Sequence, residues 1–257
     1  MTAMKQRPSF PAKMDAKSPS AAAKPRAVAT VSASRGHGLD SAAVRHNMVQ
    51  KIAAQGVCDR LVLQAMRSVE RHRFVDSALV NQAYEDTSLP IGLGQTISKP
   101  GVVARMLELM RLGELGQSGK LGRVLEIGTG CGYQAAVLSL LADEVYSIER
   151  LRGLHDKARE NLRPMRLHNL HLLFGDGMAG YAKGAPYAAI IAAAGGEALP
   201  QAWIDQLAVG GRLVAPVATG HGAVGAQSLM VLDKTPQGVR HTILEAVLFV
   251  PLKSGVA

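Results

Sequence analysis

Residues 124–133 have the sequence Val-Leu-Glu-Ile-Gly-Thr-Gly-Cys-Gly-Tyr: a short apolar run, an acid, and then glycines at alternate positions. This pattern predicts a buried strand that turns into a helix over 134–141. Glycine has no Cβ, so the turn can take positive φ and let a ligand lie against bare backbone. Such a turn forms the nucleotide crevice of doubly wound sheets. The spacing is not the G-x-G-x-x-G of dinucleotide folds, and a plain tight turn stays open at this point.

Acidic residues follow the next two predicted strands. Glu149 ends a strand predicted over 144–148 and stands 21 positions after the first glycine. A carboxylate at that place suits the two hydroxyls of a ribose, although an acid there can also simply cap the next helix. Asp176 follows a third strand, 170–174, and can accept a hydrogen bond from an adenine amino group or form an Asp-Gly turn. Three strand ends in series favour an adenosine pocket, an arrangement that resembles the S-adenosylmethionine-dependent methyltransferases.

The rest of the chain predicts a complete α/β fold. A fourth strand over 187–194 precedes a helix over 199–207 and a strand over 212–217. Two further apolar strands, 228–233 and 241–250, are predicted to form a hairpin. The fold class is therefore a doubly wound, Rossmann-like methyltransferase sheet, mostly parallel, with an antiparallel C-terminal pair.

The net charge of +9 is unevenly distributed along the 257 residues. Residues 1–40 hold seven basic and two acidic side chains, so +5 lies there and the remaining body carries only +4. The segment is rich in Ala, Pro, Ser and Lys, which predicts a disordered basic tail, although it also resembles an organellar transit peptide. A body of such low charge predicts no nucleic-acid face, and no apolar stretch approaches the ~20 residues of a membrane span. Cys58 and Cys131 are far apart in sequence, which favours a reducing, cytoplasmic location.

Two helices are predicted before any strand and form an N-terminal layer. The first begins near Ser41 and stops at Gly56, and the second is capped by Asp59 and ends at residues 71–75. We expect Arg71 and its basic neighbours to lie in a solvated last turn, where the helix dipole favours cations. The domain over 41–257 thus divides into helices and an acceptor loop, 41–120, and a cofactor-binding sheet, 121–257.

Residues 84–100 predict an irregular loop that ends at a helix starting near Pro100. The hydroxyls of Thr96 and Ser98 precede that helix, and a helix N-terminus is a natural seat for a carboxylate. A simple N-cap without chemistry is the alternative for Ser98.

These motifs together resemble the protein-L-isoaspartate O-methyltransferase family. The resemblance runs from about Ser41 to the C-terminus. It rests on the segments 89–98, 103–106, 124–133, 175–177, 207–216 and 249–252. Two departures are visible: this chain has Gly195-Gly196 where the family typically has Ala-Pro, and its 40-residue N-terminal tail is not a recognisable family feature.

The resemblance implies methyl transfer from S-adenosylmethionine to the free α-carboxylate of L-isoaspartyl residues in proteins and peptides. We expect a monomer, although no sequence feature indicates the oligomeric state. Ser98 is then the catalytic residue at the acceptor. The implied cofactor-binding residues are Gln95, Thr96, Glu126, Gly128, Thr129, Gly130, Glu149, Asp176 and Gly177. No metal is expected, because His168 and His171 would point to opposite faces of a strand. The alternatives are a methyltransferase for another carboxylate or small molecule, or a non-catalytic module that binds through its basic tail.

Overall fold

The computed structural model describes residues 42–117, 119–219 and 226–257. The predicted tail over 1–40 lies outside these residues. The helices are α1 (Ala42–Ala54), α2 (Arg60–Ser68), α3 (Pro100–Arg111), α4 (Tyr133–Leu141), α5 (Arg152–Leu162) and α6 (Gln201–Gln206). The strands are β1 (Leu89–Gly92), β2 (Gln95–Ile97), β3 (Leu121–Ile127), β4 (Ala142–Glu149), β5 (Leu170–Phe174), β6 (Tyr187–Ala192), β7 (Leu207–Ala218), β8 (Gln227–Thr235) and β9 (Gly238–Val247).

The central sheet has the strand order β5-β4-β3-β6-β7-β8-β9. The first five strands are mutually parallel, while β8 runs antiparallel to both of its neighbours. The predicted fold class is confirmed, including the antiparallel C-terminal pair. Because the order reverses beside β3, the carboxyl ends of β3 and β4 leave a crevice at that edge of the sheet.

Successive side chains of β3 point to opposite faces of the sheet, so they belong to two separate apolar cores. Val124 belongs to the core that α1–α5 cover. Leu125 belongs to the other core, where the indole of Trp203 on α6 is buried. Helices on both faces leave this central strand almost fully enclosed, which explains its continuous apolar sequence.

The N-terminal layer forms as predicted, except at the end of its second helix. Asp59 caps α2 by accepting hydrogen bonds from two backbone N–H groups, at 2.9 and 3.0 Å. The helix ends at Ser68, and Arg71–Phe74 form a separate 3-10 turn. None of the described helices is long and apolar enough to cross a membrane.

The expectation of a solvated Arg71 is wrong. Its side chain is fully buried. The Arg71 Nε donates to the Ala83 carbonyl at 2.8 Å, and the guanidinium carbon lies 4.9 Å from the centre of the Tyr133 ring. Since the chain leaves the helix before Arg71, the 3-10 turn points this side chain inward, where a carbonyl and a ring face replace water. Arg73 remains exposed and pairs with Glu70 at 2.5 Å.

The loop predicted over 84–100 contains regular structure. Strands β1 and β2 form an antiparallel hairpin that pairs Leu89 with Ile97. Its tip, residues 92–94, has three successive positive φ values of 98°, 52° and 69°. The strands are only four and three residues long. They are too short for an alternation of apolar and polar residues to predict them from the sequence. At the other end of the chain, β7 begins at Leu207, five residues before its predicted start.

Candidate functional site

A crevice opens at the carboxyl ends of β3 and β4, between the glycine turn, the β1–β2 hairpin and the C-terminal segment. Eight of the ten predicted site residues line it. They are Gln95, Thr96, Ser98, Gly128, Thr129, Gly130, Glu149 and Gly177. Glu126 and Asp176 do not line it.

The glycine turn needs glycine for both conformation and space. Gly128, Gly130 and Gly132 have φ values of 91°, 57° and 92°. A Cβ on Gly130 would lie 3.2 Å from the side chain of Ile91, and one on Gly132 would lie 2.7 Å from that of Leu162. The turn therefore presents bare backbone to the crevice and leads directly into α4, whose first residues, Tyr133 and Gln134, also line the crevice.

Glu149 is held by backbone on both of its oxygens. Oε2 accepts from the N–H of Gly130 at 2.9 Å, and Oε1 accepts from the N–H of Leu151 at 2.9 Å. Each carboxylate oxygen has a further lone pair. The side chain is almost fully buried yet borders the crevice, so it can accept hydrogen bonds from two hydroxyls of a ligand.

Glu126 lies behind the crevice wall, fully buried. The hydroxyl of Ser147 bonds Glu126 Oε2, and the Thr129 hydroxyl lies 2.6 Å from that of Ser147. Burial raises the pKa of the Glu126 carboxyl to about 8. The Gln134 amide is close enough to act on this pKa. Even so, Glu126 Oε1 and Gln134 Nε2 complete no hydrogen bond within the described part of the chain.

Asp176 has the contacts of a turn residue. Its Oδ1 accepts from the N–H of Met178 at 2.9 Å, and its Oδ2 accepts from the N–H of Gly255 at 2.7 Å. It borders a neighbouring depression with Phe174 instead of the crevice itself. Of the two predicted site residues Asp176 and Gly177, only Gly177 lines the crevice. Its carbonyl accepts a hydrogen bond from the Trp203 indole at 2.8 Å. A contact between Asp176 and adenine stays a prediction.

Ser98 lies at the start of α3 but does not cap it. The N-cap is Lys99, and no side chain caps the helix. Across the described ranges, no hydrogen bond involves the Ser98 hydroxyl. Ser98 borders both the crevice and an adjacent groove that Val247–Phe249 help to form. Its hydroxyl is thus available to a ligand, and the simple N-cap alternative does not describe it.

Two parts of the crevice wall contain no residue of the predicted site, although the hairpin lies within the predicted acceptor loop. One is the hairpin tip, where Leu93 is 62% exposed and the Lys157 ammonium donates to the Ile91 carbonyl at 3.0 Å. The other is the segment 250–253. Gly195 holds this segment, since its N–H donates to Val250 at 2.9 Å and its carbonyl accepts from Leu252 at 2.7 Å. The likeness over 249–252 was the one sequence signal for that wall.

The Gly195-Gly196 pair, where this chain departs from the Ala-Pro of the family pattern, has a packing role. A Cβ on Gly195 would come within 2.6 Å of the side-chain amide carbon of Gln227. That amide accepts from the Phe249 N–H at 2.9 Å. The Gly196 N–H donates to the Pro216 carbonyl at 3.3 Å, a bond that proline cannot make. Glycine at both positions therefore fits this arrangement of the C-terminal segment.

Comparison with known proteins identifies the family. The family profile described as protein-L-isoaspartate(D-aspartate) O-methyltransferase matches residues 43–257, which is most of the chain. The chain belongs to this family. Two proteins named protein-L-isoaspartate O-methyltransferase, from Leptothrix cholodnii and Methylibium petroleiphilum, are each 62% identical to it. Their alignments span 225 and 221 residues, which cover 86% of this chain in both cases and 77% and 81% of the relatives.

Solved structures of protein-L-isoaspartate O-methyltransferases have the same fold. One aligns with a TM-score of 0.72 at 26% identity, covering 82% of this chain and 67% of its own. Another, a putative member from Plasmodium falciparum in complex with S-adenosyl-L-homocysteine, aligns with a TM-score of 0.68 at 22% identity. That alignment covers 81% of this chain and 98% of the other.

Proposed function

We propose that this chain transfers the methyl group of S-adenosylmethionine to the free α-carboxylate of L-isoaspartyl residues in proteins and peptides. The resulting methyl ester closes to a succinimide, which reopens in part to aspartate, so the reaction starts a repair. The observation that carries the proposal is that one crevice is lined both by the glycine turn with Glu149 and by the 95–98 segment with its available serine hydroxyl.

The residues around the glycine turn fit an adenosyl ligand. A Cβ-free backbone at Gly128 and Gly130 leaves room for a ligand against the turn. Glu149 offers lone pairs for the ribose hydroxyls. The buried amide of Gln134, which borders the crevice, has an N–H group without a partner among the described residues. We assign Gln95 and Thr96 to the far side of the same ligand, where both line the crevice.

The acceptor end requires alignment more than acid–base chemistry. The bound cofactor supplies an electrophilic methyl group on a sulfonium. A carboxylate with a pKa near ~4 is already ionised at neutral pH, so it needs no general base. Ser98 can donate its hydroxyl proton to one carboxylate oxygen and so direct the other oxygen toward the methyl group. The apolar side chains of Leu93 and Leu252, which both line the crevice, can exclude water that would screen the two charges.

The test is methyl incorporation from labelled S-adenosylmethionine into an isoaspartyl peptide and into its aspartyl twin. We expect label only in the isoaspartyl peptide, and its loss as methanol in mild base, as an ester requires. Label in neither peptide, from a protein that binds the cofactor, would favour another acceptor. A protein that binds neither S-adenosylmethionine nor S-adenosylhomocysteine would be the non-catalytic module.

The proposal includes cytoplasmic action as a monomer, without nucleic acid, membrane or metal partners. Cys58 and Cys131 are both unpaired, as a reducing compartment favours.

A further inference from the structure

A row of three buried polar side chains leads from the protein interior to the crevice. Glu126 on β3 and Ser147 on β4 are strand partners and both are fully buried. The Ser147 hydroxyl contacts Glu126 Oε2 and lies 2.6 Å from the Thr129 hydroxyl. Thr129 is the one member of the row that lines the crevice. Any influence of Glu126 on a bound ligand therefore passes through this row or through the local electric field.

The row has two possible polarities, because hydroxyl protons rotate to suit their partners. An ionised Glu126 accepts from Ser147, whose oxygen accepts from Thr129, so Thr129 presents lone pairs to the crevice. A protonated Glu126 donates to Ser147, Ser147 donates to Thr129, and the Thr129 proton turns toward the crevice. The first polarity favours a cationic ligand, whereas the second does not.

We infer that the Glu126–Ser147–Thr129 row lets the crevice distinguish the cationic methyl donor from the product, whose net charge is zero, with Glu126 giving up one proton to solvent when the donor binds. This inference rests on the proposed function. The donor carries a sulfonium, an ammonium and a carboxylate, for a net charge of +1, and the product lacks the sulfonium charge. Glu126 then acts as a positioning residue, through Ser147 and Thr129.

The surroundings of Glu126 leave its proton able to respond. Burial, with the charge of Glu149 adding to it, raises the Glu126 pKa to about 8, while hydrogen bonding to Ser147 and the nearby Gln134 amide oppose the rise. Its strand partner on β6 is the apolar Ile191. No described residue completes a hydrogen bond to Oε1. A nearby positive charge lowers the pKa of a carboxyl, so binding of the donor releases the proton below about pH 8.

Calorimetry in two buffers of different ionisation enthalpy measures the protons released on binding. The donor and the product are each titrated into the wild-type protein and into Glu126→Gln between pH 6.5 and 8.5. The glutamine keeps the shape and mimics the protonated state. The ammonium groups of the ligands also titrate, but they do so equally in both proteins, so the difference between the proteins isolates Glu126.

We expect the wild-type protein to release more protons with the donor than with the product. The ratio of its affinity for the donor to its affinity for the product should rise with pH. The total rise should be about tenfold for each unit by which the donor lowers the Glu126 pKa. In Glu126→Gln this extra proton release should vanish and the ratio should stay flat. Ser147→Ala removes a bond that favours the ionised form and also interrupts the row. Its transition should therefore move to higher pH and its preference for the donor should shrink, which a merely structural role would not cause.

Equal proton release with both ligands in the wild-type protein would overturn the inference, as would the same pH-dependent preference in Glu126→Gln. If Glu126→Gln does not fold, an unmoved transition in Ser147→Ala overturns it instead. Failure of both ligands to bind the wild-type protein would reject the proposed function itself, and is a different result.

Discussion

The Oε2 atom of Glu149 accepts a hydrogen bond from the N–H of Gly130 at 2.9 Å, which ties the end of β4 to the middle of the glycine turn. Its other oxygen accepts from the N–H of Leu151 at 2.9 Å. The carboxylate is therefore fixed before any ligand arrives, so binding spends little of its free energy on ordering that side chain.

The first prediction concerns this carboxylate. Glu149→Ala should weaken binding of S-adenosylhomocysteine by about ten- to a hundredfold, since hydrogen bonds to a charged acceptor are worth ~1.5–3 kcal/mol. Isothermal titration calorimetry measures the loss. Glu144→Ala is the control, because Glu144 is a partly exposed acid on the same strand that pairs with Arg123 at 2.9 Å. Equal affinities in the Glu149 variant and the wild type would mean that the ribose lies elsewhere.

The second prediction is a pH dependence of stability caused by Glu126. Its folded-state pKa of about 8 lies above the ordinary value of 4.5. Between these values the unfolded chain has lost a proton that the folded protein keeps, so the free energy of unfolding falls as pH rises from about 5 to about 8. Glu126→Gln removes this term, and its unfolding free energy should fall less over that range, by up to about 5 kcal/mol.

Urea unfolding of both proteins at pH 5, 6.5 and 8 measures the difference. Glu144→Gln, which changes a partly exposed carboxyl in the same sheet, should follow the wild type. If the unfolding free energies of Glu126→Gln and wild type changed with pH in the same way, Glu126 would not be a buried carboxyl that lacks a compensating charge.

The third prediction concerns Arg71. Arg71→Lys should lower the free energy of unfolding by about 2–4 kcal/mol, because an ammonium loses the stacking on Tyr133 and the geometry of the bond to Ala83. Arg73→Lys, two residues away and exposed, should change it by less than about 0.5 kcal/mol. Urea unfolding midpoints of the two variants test this. Similar losses in both would show that Arg71 is not buried as described.

Local sequence was enough to predict the parts of the site that depend on backbone geometry. The glycine turn and the acid that ends β4 follow from a strand-turn-helix pattern and from the spacing between two parallel strands. Both features are complete within about 25 residues, so no distant contact was needed to interpret them. The same holds for the antiparallel C-terminal pair, whose strands are joined by a short turn.

Side chains whose partners lie far along the chain could not be predicted in this way. The Asp176 carboxylate accepts from Gly255, 79 positions later, and this contact takes up an oxygen that we expected to face adenine. The buried guanidinium of Arg71 lies over the ring of Tyr133, which begins α4 far along the chain. The N-cap alternative for Ser98 failed for a local reason. Capping statistics favour serine as a residue type, but the cap position depends on where the helix begins, and here Lys99 occupies it.

The fourth prediction concerns residues 1–40, which carry +5 of the net charge of +9. Deleting them should leave the melting temperature and the specific activity near those of the full chain, because they show no apolar period that would pack on the body. Deleting residues 1–56 is the control. It also removes α1, with the buried Met48, Val49 and Ile52, and should destabilise the protein strongly. A drop of several degrees with the shorter deletion would contradict the predicted boundary.

The last prediction places Ser98 at the acceptor. Its hydroxyl bonds no described residue and borders the crevice, so its removal leaves no internal partner unsatisfied. Ser98→Ala should therefore keep the melting temperature and the cofactor affinity close to wild type, yet lower the rate of methyl transfer by about 10–100-fold, as the loss of one hydrogen bond to a charged group does. Steady-state kinetics with an isoaspartyl peptide, beside calorimetry with S-adenosylhomocysteine, separates the two effects.

Two further variants make that result specific to the hydroxyl and its position. Ser98→Thr keeps the hydroxyl but adds a methyl group beside the acceptor, so its rate should lie between those of alanine and wild type. Ser68→Ala removes an exposed serine hydroxyl that donates to the Gln64 carbonyl at 2.9 Å, remote in sequence from the acceptor segment, and should leave the rate unchanged. A fully active Ser98→Ala enzyme would remove Ser98 from the reaction. The carboxylate would then have to be aligned by the backbone N–H groups at the start of α3, where no side chain competes for them.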